Sequence, residues 1–191
     1  QYAQRADLAR EKETYKVVFV GRLVRNIKQP HLLIQAFIRI AAEFPNWTLE
    51  LWGAEDKRRY QKKLQRMVDE AGLAARIRFC GTTQDVPRVL EGADICVAPS
   101  AYEGFSLAHT EAMSMGLPLI GYKSCVSVAE LIDDGVNGLL AEDGAEALSE
   151  KMALLMRDRN LRTKMGAAAR KSMRAYAPEI IWGRWETLMD E

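Results

Sequence analysis

Short apolar runs alternate along this chain with segments of helical period, and that alternation leaves few architectures open. Tyr15-Lys16-Val17-Val18-Phe19-Val20-Gly21 is rich in β-branched and aromatic residues and stops on a glycine, which reads as a buried strand. Trp47 to Trp52 alternates toward Gly53, Ile77 to Gly81 makes a third run, and Asp94 to Pro99 a fourth. Shorter strands are expected at 118–121 and 138–141. Between the first two, Pro30 starts a helix whose Leu33, Ile34, Phe37, Ile38 and Ala41 keep helical spacing as far as Phe44-Pro45. Residues 55–71 carry Tyr60, Leu64, Met67, Val68 and Ala71 on one face. Helices over 86–90, 106–115 and 127–133 follow, and from Glu146 the pattern is helical, broken at Arg157-Asp158 and at Pro178.

Strands recurring at ~25–35-residue intervals with helices between them are βαβ units joined by right-handed crossovers. The expected fold is therefore α/β: a doubly wound parallel sheet of about six strands with helices on both faces, Rossmann-like, over residues 15–177. Residues 1–14 read as a linker or helix arriving from an upstream domain, with no partner in this fold. Residues 178–191 read as a terminal helix with Ile180, Ile181, Trp182, Trp185 and Leu188 on its apolar face. Ligands of such sheets bind outside the carboxyl ends of the strands, so the loops after Val20, Trp52, Cys80 and Ala98 are the places to look.

Composition removes several classes. With 48% hydrophobic and 28% charged residues the chain is globular rather than disordered. Lys and Arg number 27 against 26 Asp and Glu, so no net field draws in a nucleic acid. No apolar run reaches the ~18 residues of a membrane span. Gln1 to Glu13 is polar and charged, unlike a secretory signal. Cys80, Cys96 and Cys125 are odd in number and widely spaced, and His31 and His109 stand alone, so neither a disulfide framework nor a metal site is expected. That cysteine usage suits a reducing, cytoplasmic compartment.

The usual nucleotide motifs are missing: there is no GxG, no GxxxxGK[ST], no GxSxG and no Asp-x-Asp. The informative stretch runs from Pro99 to Pro118. It follows the fourth strand, turns at Gly104 and opens a helix near Ser106, whose unpaired N–H groups and partial positive charge suit a phosphate. Glu103 precedes that helix and Glu111 lies in its second turn, roughly 10 Å further along at ~1.5 Å per residue. Retaining glycosidases hold their two carboxylates ~5 Å apart, so this pair suits two hydroxyl-bearing ends of one ligand instead. The spacing is weak evidence on its own: Glu142 and Glu150 repeat it without a glycine turn, and a bare pair reads as a solvated helix face.

The surroundings of the pair are more specific. Glu103-Gly104-Phe105-Ser106-Leu107 through Glu111-Ala112-Met113 and Gly116-Leu117-Pro118 resembles the E-x7-E signature of retaining glycosyltransferases of family 4. Phe19-Val20-Gly21-Arg22-Leu23 with Lys28 resembles the donor-site motif of that family, where glycine normally follows the lysine and Gln29 stands here. Ser127 to Ile132 with Asp134 to Leu140 is similar to its E-x-I…G-x-NG-x-L run. The likeness spans residues 16 to about 175 in the expected order.

The resemblance implies the C-terminal, nucleotide-sugar-binding half of a two-domain GT-B enzyme that is retaining and metal-independent. It implies that Arg22 and Lys28 clamp the donor diphosphate beside Gly21, and that Phe105, Ser106 and Leu107, after Gly104, offer amides to phosphates and sugar. Glu103 would hold sugar hydroxyls, Glu111 the ribose hydroxyls, and Gly81-Thr82 would lie near the base. Glu103, Arg22 and Lys28 are thus the catalytic candidates. The donor is expected to be a UDP-sugar, with GDP the second candidate, and no cofactor or metal is expected. The acceptor, a glycan or lipid-linked chain, would bind mainly on an N-terminal domain to which the 178–191 helix crosses back. A nucleotide-sugar epimerase of the same fold and a non-catalytic nucleotide-binding domain are the alternatives. His109 reads as a packed or ligand-edge residue rather than a base. Lys57, Arg58, Arg59, Lys62, Lys63 and Arg66 lie opposite the apolar face of their helix. They make a solvated face or, more sharply, a contact with anionic lipid at the inner face of the cytoplasmic membrane.

Overall fold

The computed structural model describes residues 5–55 and 58–189. Six strands, β1 (Tyr15–Val20), β2 (Trp47–Trp52), β3 (Ile77–Gly81), β4 (Ile95–Ala98), β5 (Leu119–Tyr122) and β6 (Gly138–Ala141), form one sheet in the order β3-β2-β1-β4-β5-β6. Every neighbouring pair is parallel. Chain order reverses direction between β1 and β4, where Val17 lies beside Ile95 and Val18 beside Cys96. That reversal opens a crevice at the carboxyl ends of β1 and β4, the position at which such sheets take ligands.

Strand side chains alternate between faces, and β1 shows it directly. Val17 and Phe19 enter a core with Leu33, Ile34 and Phe37 of α1 (Pro30–Ile40), Leu64 and Val68 of α2 (Arg58–Glu70), and Leu148 and Met152 of α6 (Ala145–Arg157). Val18 enters the opposite core with Leu90 of α3 (Val86–Glu91), Ala112 and Met113 of α4 (Leu107–Ser114), Val128 of α5 (Val126–Ala129) and Ala169 of α7 (Arg159–Ser172). Burial on both faces explains why β4 is apolar throughout.

The expected helix over 127–133 is only Val126–Ala129, because the chain must turn at Asp133–Gly135 to start β6. At the carboxyl edge, Gly21 N–H donates to Trp52 O and Gly53 N–H to Gly81 O, so the first three strand ends stay laced together. A Cβ on Gly53, at φ +149°, would stand 2.0 Å from Gly21 O. Glycine there lets the β1 and β2 loops touch.

The segment before β1 differs from the expectation of a helix or linker without a partner. Residues 5–14 contain no helix, and Ala6 and Leu8 are buried. Ala6 N–H donates to Met115 O, Thr163 Oγ1 to Leu8 O, and Lys12 pairs at 2.8 Å with buried Asp94. An apolar residue at every second position was too short a pattern to read. At the other end α8 (Pro178–Met189) forms as expected, with Ile180, Trp182, Trp185 and Leu188 exposed. No helix among the described residues is long and apolar enough to cross a membrane.

Candidate functional site

Two loops meet at the crevice between β1 and β4. The first runs from Gly21 to Gln29. Lys28 and Gln29 N–H both donate to Val24 O, which closes a helical turn, and Gln29 then adopts φ 46° and ψ 44°. A turn closed this way ends in the left-handed region that glycine occupies most easily. The Gln29 backbone thus takes the conformation that the glycine of the resembled motif would take. Pro30 follows at the first position of α1 with its φ already suited to a helix.

The second loop, Pro99 to Ser106, is tied to the first by Ala101 N–H donating to Ile27 O at 2.8 Å. Across the crevice Lys28 Nζ lies 2.5 Å from both carboxylate oxygens of Glu103. Ser100 Oγ, on a fully buried residue, donates to Glu103 Oε1 at 2.7 Å, and Ser127 Oγ donates to Glu103 O at 2.8 Å. The carboxylate is held from the β1 loop and the end of β4, while α5 holds the backbone carbonyl of the same residue. Ser100 and Ser127 were not singled out in the sequence. For Ser100 the signal was a small hydroxyl two residues past a buried strand end, where a polar group has to serve a neighbour; Ser127, inside α5, carried no such signal.

Arg22 is exposed in the first loop and takes part in none of the ion pairs among the described residues. Gly104, Phe105 and Leu107 are exposed, and Ser106 caps α4 in an extended conformation without a side-chain bond. The N–H groups of Phe105, Ser106 and Leu107 have no acceptor among the described residues. They stand ready for an anion at the positive end of the helix. Glu111 is half-buried one turn further along α4. Gly81 and Thr82 are exposed at the end of β3, with Gly81 at φ +69°.

His109 is fully packed behind the pair, not at the ligand edge. Burial pushes its pKa down to about 4, with Glu103 opposing the effect and Lys28 adding to it, and its Nδ1 has no hydrogen-bond partner among the described residues. A neutral, enclosed imidazole is no acid/base for a bound sugar. Cys96 and Cys125 are buried free thiols and Cys80 is half-buried. The basic stretch on α2 is solvent-exposed at Arg59, Lys62, Lys63 and Arg66, while Lys57 lies outside the described residues.

Cations, free amides and a supported carboxylate thus converge at the switch point of a doubly wound domain, where such folds take ligands. The model for glycosyl transferases group 1 matches residues 1–172, and the chain belongs to that family. It is similar to the C-terminal domain of a group 1 glycosyl transferase, LpcC, from Francisella tularensis, at 27% identity and a TM-score of 0.76, covering 84% of this chain and 85% of that one. An Anabaena protein, HepE, solved in complex with UDP, is 25% identical with a TM-score of 0.84 over 94% of this chain and 50% of that one. The lipopolysaccharide core mannosyltransferase LpsB of Rhizobium meliloti is 30% identical across 74% of this chain and 42% of its own length. The chain spans from 19% to 49% of the length of the first curated relatives it matches.

Proposed function

We propose that this chain is the donor-binding domain of a retaining, metal-independent glycosyltransferase of the family 4 type. It would move a hexose-type sugar from a nucleotide diphosphate to a glycan or lipid-linked acceptor held by a second domain. The observation that carries the reading is the Lys28–Glu103 pair, which joins the β1 and β4 loops at the switch point of the sheet. UDP as the nucleotide is supported by its presence in the Anabaena relative, with GDP the second candidate.

In this reading Arg22 and Lys28 neutralise the diphosphate, and the Phe105, Ser106 and Leu107 amides hold its oxygens. Glu103 accepts from sugar hydroxyls, Glu111 from the ribose, and the base lies over Gly81-Thr82. The bond from the anomeric carbon to the diphosphate breaks, and the acceptor oxygen bonds to that carbon on the same face. Preorganised cations and amides at the departing diphosphate supply the largest rate contribution. The work would take place in the cytoplasm, where nucleotide sugars meet an acceptor at the membrane's inner face.

The test joins binding to product analysis. Titrated with UDP, GDP and their sugars, this chain is expected to bind one nucleotide and transfer nothing alone. In this reading transfer needs a second domain to hold an acceptor within the ~3–3.5 Å that attack requires. The full-length enzyme with that donor should give product of retained anomeric configuration in excess chelator. An inverted product, or activity lost to the chelator, would overturn the reading.

A further inference from the structure

Beside the donor crevice, outside it, runs a groove of about 920 Å³ between the Val24–Ile27 segment and α2. Its walls carry Arg25 from the loop and Arg59, Lys62, Lys63 and Arg66 from the helix, against the single carboxylate of Glu70. These cations are exposed, and none joins an ion pair among the described residues. Tyr60 and Met67 supply apolar surface within it.

A helix face that is merely solvated interleaves opposite charges at i and i+4. Here two such pairs repeat the same sign, Arg59 with Lys63 and Lys62 with Arg66, and one pair, Arg66 with Glu70, is opposite. Like charges at that spacing weaken a helix, so the arrangement is unfavourable until something anionic lies along it. Its field already reaches a neighbour. His31, whose Nδ1 lies 3.0 Å from Tyr60 Oη, has a lowered pKa, mainly through burial and further through Arg25 and Lys63.

We propose that this groove binds an anionic chain carrying several phosphates. Lys and Arg match phosphate oxygens, and the run from Arg59 to Arg66 spans ~10 Å at ~1.5 Å per residue, enough for successive phosphates. A concave channel with cations on both walls encloses a chain, whereas a bilayer presents a plane. That the chain is the phosphate-bearing part of the acceptor rests on the transferase reading; the binding itself does not.

Tripolyphosphate is the probe, titrated into the intact protein at saturating UDP so that the donor crevice is filled. Two double variants of equal charge change are compared: K63E/R66E in the groove and K164E/K171E on the exposed surface of α7. The expected result is at least a tenfold loss for the groove variant, less than twofold for the control, and UDP affinity within twofold in both. Equal losses in the two variants, no tripolyphosphate binding, or binding only to vesicles rich in phosphatidylglycerol would each overturn the proposal. Absence of UDP binding by the unaltered protein would instead overturn the transferase reading and leave the groove contrast to be read by itself.

Discussion

Removing the charge of Glu103 should tighten the binding of free UDP. Lys28 Nζ is 2.5 Å from both Glu103 oxygens, with the lysine 20% and the glutamate 5% exposed. An arriving diphosphate has to recruit this cation away from a carboxylate that already holds it, and it meets that carboxylate's own negative charge. Glu103→Gln keeps the side-chain shape and an oxygen for Ser100 Oγ to donate to, but deletes the charge. Two unit charges ~7 Å apart at an effective dielectric of ~20 interact by ~2.4 kcal/mol. The partial exposure of Lys28 and ordinary salt reduce that. A gain of about 1–2 kcal/mol remains, roughly 5–30-fold in Kd. Calorimetric titration with UDP, beside uridine as the phosphate-free control, measures it. Uridine should change by less than twofold, and a UDP-sugar should lose its advantage over UDP. Unchanged or weaker UDP binding with uridine unaffected would refute the competition between ligand and carboxylate.

Three further outcomes follow from the same structure. Arg22→Ala should weaken UDP by ~1.5–3 kcal/mol, the worth of a charge-assisted bond, and leave uridine nearly untouched; equal weakening of both removes Arg22 from the phosphate clamp. Gly53→Ala forces a Cβ against Gly21 O and should cost at least ~2 kcal/mol, roughly 4–8 °C in Tm; an unchanged melt would show that the close loop contact is dispensable. His109 has its pKa lowered from 6.5 to about 4, so the unfolded chain takes up a proton that the native one refuses. Stability present above pH 6.5 is therefore lost as pH falls toward about 4, by ~2 kcal/mol at pH ~5. The Tm of the unaltered protein should drop more between pH ~7.5 and ~5 than that of His109→Leu, and parallel declines would refute the assignment.

The sequence determined what is local or periodic. Short, mainly apolar runs ending on Gly21, Gly53 and Gly81, with helical spacing between them, dictated the parallel α/β architecture, because strands covered on both faces are mostly apolar. The ordered motifs around Lys28 and Glu103 marked the loops that carry the site. Tertiary structure alone decided what depends on which loops meet. That Lys28 closes on Glu103, 75 positions away, follows from β1 and β4 being neighbours in the sheet, and no local pattern encodes a strand order. The roles of Ser100 and Ser127 belong to the same category, since a hydroxyl declares its partner only once the chain has folded over it. His109 shows the reverse case. Its position beside Glu111 left a packed and a ligand-edge placement both open, and the packing of α4 against the sheet decides for the enclosed one. The segment before β1 drew its structure from α7 and the turn after α4, partners more than 100 residues distant, which is why it looked unattached in the sequence.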